Sequence, residues 1–224
     1  MGIIIMGGTG TGKSTVGNII SLRTGYKLYE IGHIVKGLYL KKMKQEANSV
    51  YRDAEKVLES VEKTFKVNSK DFFTNQRLKY VSNMVKEHGN DYFVKKLIEM
   101  SKNENIIVIG ARSFEEIRAI EQKMQYPFFV GLTCNESKLV KRFVAREYNF
   151  MQPDKAEKIF EKRRWTENMW GVEKVMHKCN LVLSTEDKMP SDLATMILDE
   201  YREFMKEKDL LKGGILYAYK KIIY

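Results

Sequence analysis

Cysteine is scarce in this chain: only Cys134 and Cys179 occur among 224 residues, far apart and outside any C-x-x-C pair. That pattern excludes a disulfide framework and a cysteine-based zinc site. Histidine is nearly as rare, and His33, His88 and His177 share no metal-ligand spacing. Three prolines, Pro127, Pro153 and Pro190, are too few and too scattered to mark a linker. There is no internal repeat and no low-complexity tract. No apolar run approaches the roughly 20 residues needed to cross a bilayer, so no membrane partner is expected. The first residues show no basic-then-apolar leader, because Ile3-Ile4-Ile5-Met6 runs directly into a cluster of glycines. A reducing cytoplasm is the expected location.

What is present fits a globular protein with a sizeable core, since 43% of the residues are hydrophobic and 30% charged. The length suits one large α/β domain, or a domain with a small insertion. Lys and Arg number 39 against 29 Asp and Glu, a net charge of +10. Such an excess attracts phosphate, whether on a small nucleotide or, weakly, on nucleic acid through the basic surface. Much of it is a solvated lysine face, with glutamates interspersed at helical spacing. Residues 205–224 are more one-sided: Lys206, Lys208, Lys212, Lys220 and Lys221 stand against Glu207 and Asp209, with Tyr217, Tyr219 and Tyr224 interleaved. They read as a basic C-terminal tail following a domain of residues 1–204.

Short β-branched or apolar runs at residues 3–6, 106–109 and 128–132 predict buried strands, and residues 180–183 and 27–29 predict two more. Helical periodicity fills residues 15–23, 92–101, 115–124 and 137–147. Strands alternating with helices predict a parallel sheet covered on both faces. Residues 36–90 contain no convincing strand and are predicted to form charged helices inserted between the second and third strands.

The sharpest motif is Gly7-Gly8-Thr9-Gly10-Thr11-Gly12-Lys13-Ser14, which fits G-x-x-x-x-G-K-[ST] and is followed by Thr15. Its glycines let the backbone curl until successive N–H groups point at one phosphate. A helix beginning near Lys13 adds the positive end of its dipole. Lys13 supplies a mobile charge between the β- and γ-phosphates, and the Ser14 hydroxyl is suited to Mg²⁺. An apolar strand precedes the loop and a helical pattern follows it, as the motif requires. Gly8, Thr9, Gly10, Thr11, Gly12, Lys13, Ser14 and Thr15 are therefore the expected nucleotide ligands, with ATP and Mg²⁺ as cofactors.

Beyond the loop, the chain resembles nucleoside monophosphate kinases and their relatives. Tyr29-Glu30-Ile31-Gly32-His33-Ile34-Val35-Lys36 is similar to the Gly-Asp-x-x-Arg segment that follows their second strand. Arg77-Leu78, Val85 and Gly89-Asn90-Asp91-Tyr92-Phe93 resemble a stretch found in dephospho-coenzyme A kinase, phage deoxynucleoside monophosphate kinase and an uncharacterised archaeal kinase-like family. Ile107-Val108-Ile109-Gly110-Ala111-Arg112-Ser113, with Glu115-Glu116, resembles their third strand. Arg142 and Arg146 match an R-x-x-x-R leading into a lid, and Arg163, Glu167 and Gly171-Val172 resemble its close. The likeness extends to about residue 200.

The resemblance implies a P-loop α/β fold, with a five-stranded parallel sheet and helices on both faces. It implies a helical acceptor-binding insertion at 36–90 and a lid at 147–165. It further implies transfer of the ATP γ-phosphoryl group to a small phosphorylated acceptor, a nucleoside or deoxynucleoside monophosphate. Lys13, Arg142, Arg146 and His33 would be catalytic, and Lys36, Arg77 and Arg112 would hold the acceptor. Trp165 and Trp170 are expected to pack the lid helix against the core. Three departures stand out: His33 replaces the aspartate of Gly-Asp, Ile109 precedes Gly110 where relatives often carry aspartate, and Arg163-Arg164 replaces an Arg-Asp pair. Glu30 and Asp91 are the carboxylates available to compensate. Two other functions stay open at this point: a kinase of a hydroxyl acceptor such as dephospho-coenzyme A, and a non-catalytic or nucleic-acid-linked ATP-binding protein.

Overall fold

The computed structural model describes the backbone of residues 1–48, 69–101, 104–147 and 152–222, and side chains except those at 43–48, 69–78, 147 and 210–222. Five strands form one sheet: β1 (Gly2–Met6), β2 (Lys27–Glu30), β3 (Ile106–Ile109), β4 (Pro127–Thr133) and β5 (Leu181–Ser184). They lie in the order β2-β3-β1-β4-β5 and every pairing is parallel. In the central register Ile3 faces Ile107 on one side and Phe128 on the other. Parallel strands cannot be joined by tight hairpins, so each connection carries helix.

The alternation of side chains along a strand sorts the apolar residues onto two faces. Ile4, Met6, Ile106, Val108 and Phe129 face one core, closed by α2 (Ile31–Asn48), α3 (Ser69–His88), α4 (Tyr92–Ser101) and α5 (Phe114–Lys123). Ile3, Ile5, Ile107, Ile109, Phe128 and Val130 face the other, closed by α1 (Lys13–Thr24) and the N-terminal part of α9 (Pro190–Ile222). That two-sided burial explains why these strands read as continuous apolar runs.

Two helices stand apart. α6 (Glu136–Glu147) and α7 (Pro153–Trp170) bury Leu139, Phe143, Ala156 and Phe160 against each other in a small core of their own. The α7 helix ends at Gly171, beyond which α8 (Val172–Val175) and a 3₁₀ turn (Met176–Lys178) lead to β5. The expected strands all form, within a residue or two at each end. Of the expected insertion, α2, α3 and the turn before α4 are described, while residues 49–68 lie outside the described residues. Part of the expected lid, residues 148–151, lies outside them too. No break in the backbone marks the expected tail, since α9 runs through residue 205 to Ile222.

Candidate active site

The carboxyl ends of β1, β2 and β3 and the helices that follow them surround a cleft of about 530 Å³. This is the edge at which open parallel sheets bind ligands. After Met6 the chain enters the phosphate loop, and Gly12, at φ 84°, makes the left-handed step that starts α1 at Lys13. The Thr11 hydroxyl donates to the Gly8 carbonyl at 2.9 Å, and Lys13 Nζ donates to the same oxygen at 2.6 Å. Burial pushes the Lys13 ammonium down from its ordinary 10.5 to about 8; Arg112 and Arg146 push the same way, while Glu167 and Glu30 oppose it. Thr9, Gly10, Thr11, Gly12, Lys13, Ser14 and Thr15 all line the cleft. Gly8 lies behind them under Arg164, so close that a Cβ there would stand 2.8 Å from Arg164 Nη1.

Ser14 Oγ donates to Glu30 Oε2 at 3.1 Å. A hydroxyl and a carboxylate side by side form an oxygen donor set that fits Mg²⁺, which takes one or two protein oxygens alongside phosphate and water. Glu30 is the last residue of β2 and supplies the carboxylate that His33 does not. Asp91 is ion-paired with Lys95 at 2.9 Å and does not line the cleft.

Arginines form the opposite wall. Arg112, Arg142, Arg146 and Arg163 all reach the cleft. Arg112 follows β3, and its backbone N–H donates to Glu116 Oε2 at 2.6 Å, as does that of Ser113 at 3.1 Å. Ser113 and Glu116 form a reciprocal capping box on α5. Burial pushes the Glu116 carboxyl up to about 7, against the two N–H donors that favour its ionised form. The Arg112 guanidinium lies 5.0 Å from the Trp170 ring centre. Arg142 donates twice to Thr185, to the hydroxyl at 2.9 Å and to the carbonyl at 2.7 Å, which ties α6 to the loop after β5. Arg146 and Arg163 each lie over the Phe143 ring, at 4.9 and 5.1 Å.

Several sequence expectations meet a different arrangement. His33 and Lys36 are exposed and do not line the cleft. β2 passes directly into α2 at Ile31, so Gly32 faces the cleft while His33 lies about 100° further round the helix and Lys36 a turn along it. The backbone of Arg77 is part of α3, but its side chain lies outside the described residues. Trp165 and Trp170 do not pack the core: they are 66% and 41% exposed. Glu30, which the sequence offers as a compensating carboxylate, and Arg163 and Glu167, which resemble the close of a lid, all line the cleft. Glu30 is the polar residue closing a strand, and Arg163 with Glu167 is an i,i+4 pair sharing a helix face.

A family model described as an AAA domain matches residues 3–166. The chain belongs to this family. No curated protein matches it. Among solved structures, the AAA domain chain is similar to a gluconokinase from Sinorhizobium meliloti 1021, with TM-score 0.56 and 16% identity over 94% of this chain and 96% of that one. It is also similar to a shikimate kinase from Aquifex aeolicus vf5, with TM-score 0.43 and 16% identity over 91% and 97% of the two chains. The five-stranded all-parallel sheet with its phosphate loop gives this AAA domain protein a P-loop kinase fold. Among the described residues, no helix is long and apolar enough to cross a membrane.

Proposed function

We propose that this protein transfers the γ-phosphoryl group of ATP to a small phosphorylated acceptor, a nucleoside or deoxynucleoside monophosphate. The supporting observation is the charge of the cleft. Arg112, Arg142, Arg146, Arg163 and Lys13 converge there, while Glu30 and Glu167 are both engaged by the phosphate loop. A hydroxyl acceptor must lose a proton to a base during transfer. A phosphate acceptor is largely ionised at neutral pH and needs positive charge around it.

In this reading the loop amides and the N-terminus of α1 hold the ATP phosphates, with Lys13 between the β- and γ-phosphates. Ser14 and Glu30 hold Mg²⁺, which neutralises charge on the phosphates when bound. Arg112, fixed through its backbone by Glu116, grips the acceptor phosphate, and Arg77 belongs to α3 in the segment that carries the acceptor. An oxygen of the acceptor phosphate forms the new P–O bond as the bond to the β–γ bridging oxygen breaks, leaving ADP. Arg146 and Arg163 neutralise the charge on the transferring group, and the α6–α7 pair excludes water as a lid.

ADP release measured against a panel of nucleoside monophosphates, dephospho-coenzyme A, gluconate and shikimate tests the proposal. Turnover confined to monophosphates is the expected result. Turnover with a hydroxyl acceptor alone would make one of the cleft carboxylates the base and would overturn it.

A further inference from the structure

Two residues of α7 press on the phosphate loop from the lid side. Glu167 is only 4% exposed. Its Oε2 accepts the Thr9 backbone N–H at 2.9 Å, and its Oε1 accepts the Thr9 hydroxyl at 2.6 Å. One turn earlier Arg164 lies across Gly8, with its Nε buried and without a hydrogen-bond partner. Backbone N–H groups in a curled glycine loop are what phosphate oxygens bind. A carboxylate bonded to one of them puts two anionic oxygens where a phosphate oxygen would sit. Like charges this close in a poorly solvated site exclude each other, so the carboxylate and a nucleotide phosphate compete for Thr9.

We infer that Glu167 is a latch: it holds α7 on the phosphate loop by standing in for a phosphate oxygen, and nucleotide binds by displacing it. The inference rests on the nucleotide-binding reading given above. The exchange keeps the Thr9 donors satisfied in both states, which avoids the cost of leaving a buried N–H unpaired. It also has a mechanical outlet. The small core that α7 shares with α6 is separate from the two sheet cores, so α7 can shift on releasing Glu167 while Arg142 keeps α6 tied to Thr185 and the sheet stays packed. Arg163 and Arg164 are carried on the same helix, so their charge is repositioned around the incoming phosphate as the carboxylate leaves.

Calorimetric titration of the full chain with Mg·ATP, for wild type and Glu167→Gln, tests the latch. Glutamine keeps the shape and can still accept from Thr9, but it carries no charge to repel phosphate. The expected result is affinity about tenfold tighter in the variant, the scale of losing one charged hydrogen-bonded competitor. Equal or weaker affinity in a folded variant overturns the latch. So does unchanged affinity with collapsed turnover, which would make Glu167 a catalytic base. Hydrogen–deuterium exchange on wild type needs no variant: Mg·ATP should lower exchange at residues 8–14 and raise it at 163–170. Exchange at 163–170 that stays level or falls, while 8–14 become protected, overturns the latch alone. No heat and no protection at 8–14 in wild type, with none in Glu167→Gln, removes the nucleotide reading itself and the latch with it.

Discussion

The phosphate loop hangs from β1, whose five residues are all buried, and it presents ligands that belong to the backbone. Of the arginines across the cleft, Arg142, Arg146 and Arg163 ride instead on α6 and α7, whose shared core is four buried side chains. On the first wall the donors are fixed by glycine dihedrals and by strand pairing on both sides of β1. On the second, charge sits at the ends of long side chains on a helical pair with its own packing. In the proposed function the difference separates two tasks: holding the nucleotide, which calls for rigid donors, and covering the transferring group, which calls for a unit that opens and closes.

The largest effect should come from removing the one mobile charge on the rigid wall. Lys13→Ala is expected to lower ATP turnover by about a thousandfold, on the scale of losing a main transition-state charge. The melting temperature should hold, because Lys13 adds little to either core. Steady-state kinetics and thermal melting check both halves. Phe143→Ala attacks the other wall. The ring is 1% exposed and lies under both Arg146 and Arg163. Its loss should destabilise the helical pair by about 3 kcal/mol and cut kcat while the sheet persists. Denaturant unfolding followed separately on the two regions would reveal a second, earlier transition.

Arg112→Lys sharpens the division within the site. A lysine keeps the charge but loses the two-pronged grip, so KM for the acceptor should rise about tenfold with KM for ATP within twofold. A parallel rise in both would place Arg112 on the nucleotide instead. The smallest effect is set by pH. Lys13, held near 8, is protonated below that value and neutral above it, and only the protonated form attracts phosphate. ATP affinity should therefore be level below pH 8 and fall, by up to about tenfold, as pH rises to 9. Calorimetry near pH 8 in buffers of different ionisation heat should show proton uptake on binding.

Much of the rigid wall was legible in the sequence, because its determinants are local. Ile106–Ile109 is a run of four β-branched residues, and the loop motif carries its own geometry in its glycines. Arg112, Arg142 and Arg146 were legible too, since each sits just beyond a strand or on the helix after one. The bond from Thr9 to Glu167 was not, because the two lie 158 residues apart and no local pattern records that pairing. His33 resembles the aspartate position of a family motif, whereas the direct junction of β2 with α2 gives its place at the cleft to Glu30. Size alone does not bury the tryptophans. Their helix turns its Ala156–Phe160 face toward α6 and leaves Trp165 and Met169, one turn apart, in solvent.

The position of β1 in the sheet has a consequence for synthesis. Both of its neighbours come from far down the chain, with Gly2 opposite Ile106 on one side and Pro127 on the other. The ribosome must therefore complete β4 before the central strand has both partners, which takes about ten seconds at ordinary rates. Until β3 emerges, Ile3, Ile4, Ile5 and Met6 travel as an unpaired apolar strand, and until β4 follows they have one neighbour. Assembly must wait on contacts of long sequence separation, a feature that slows folding and prolongs the exposure of apolar strand edges.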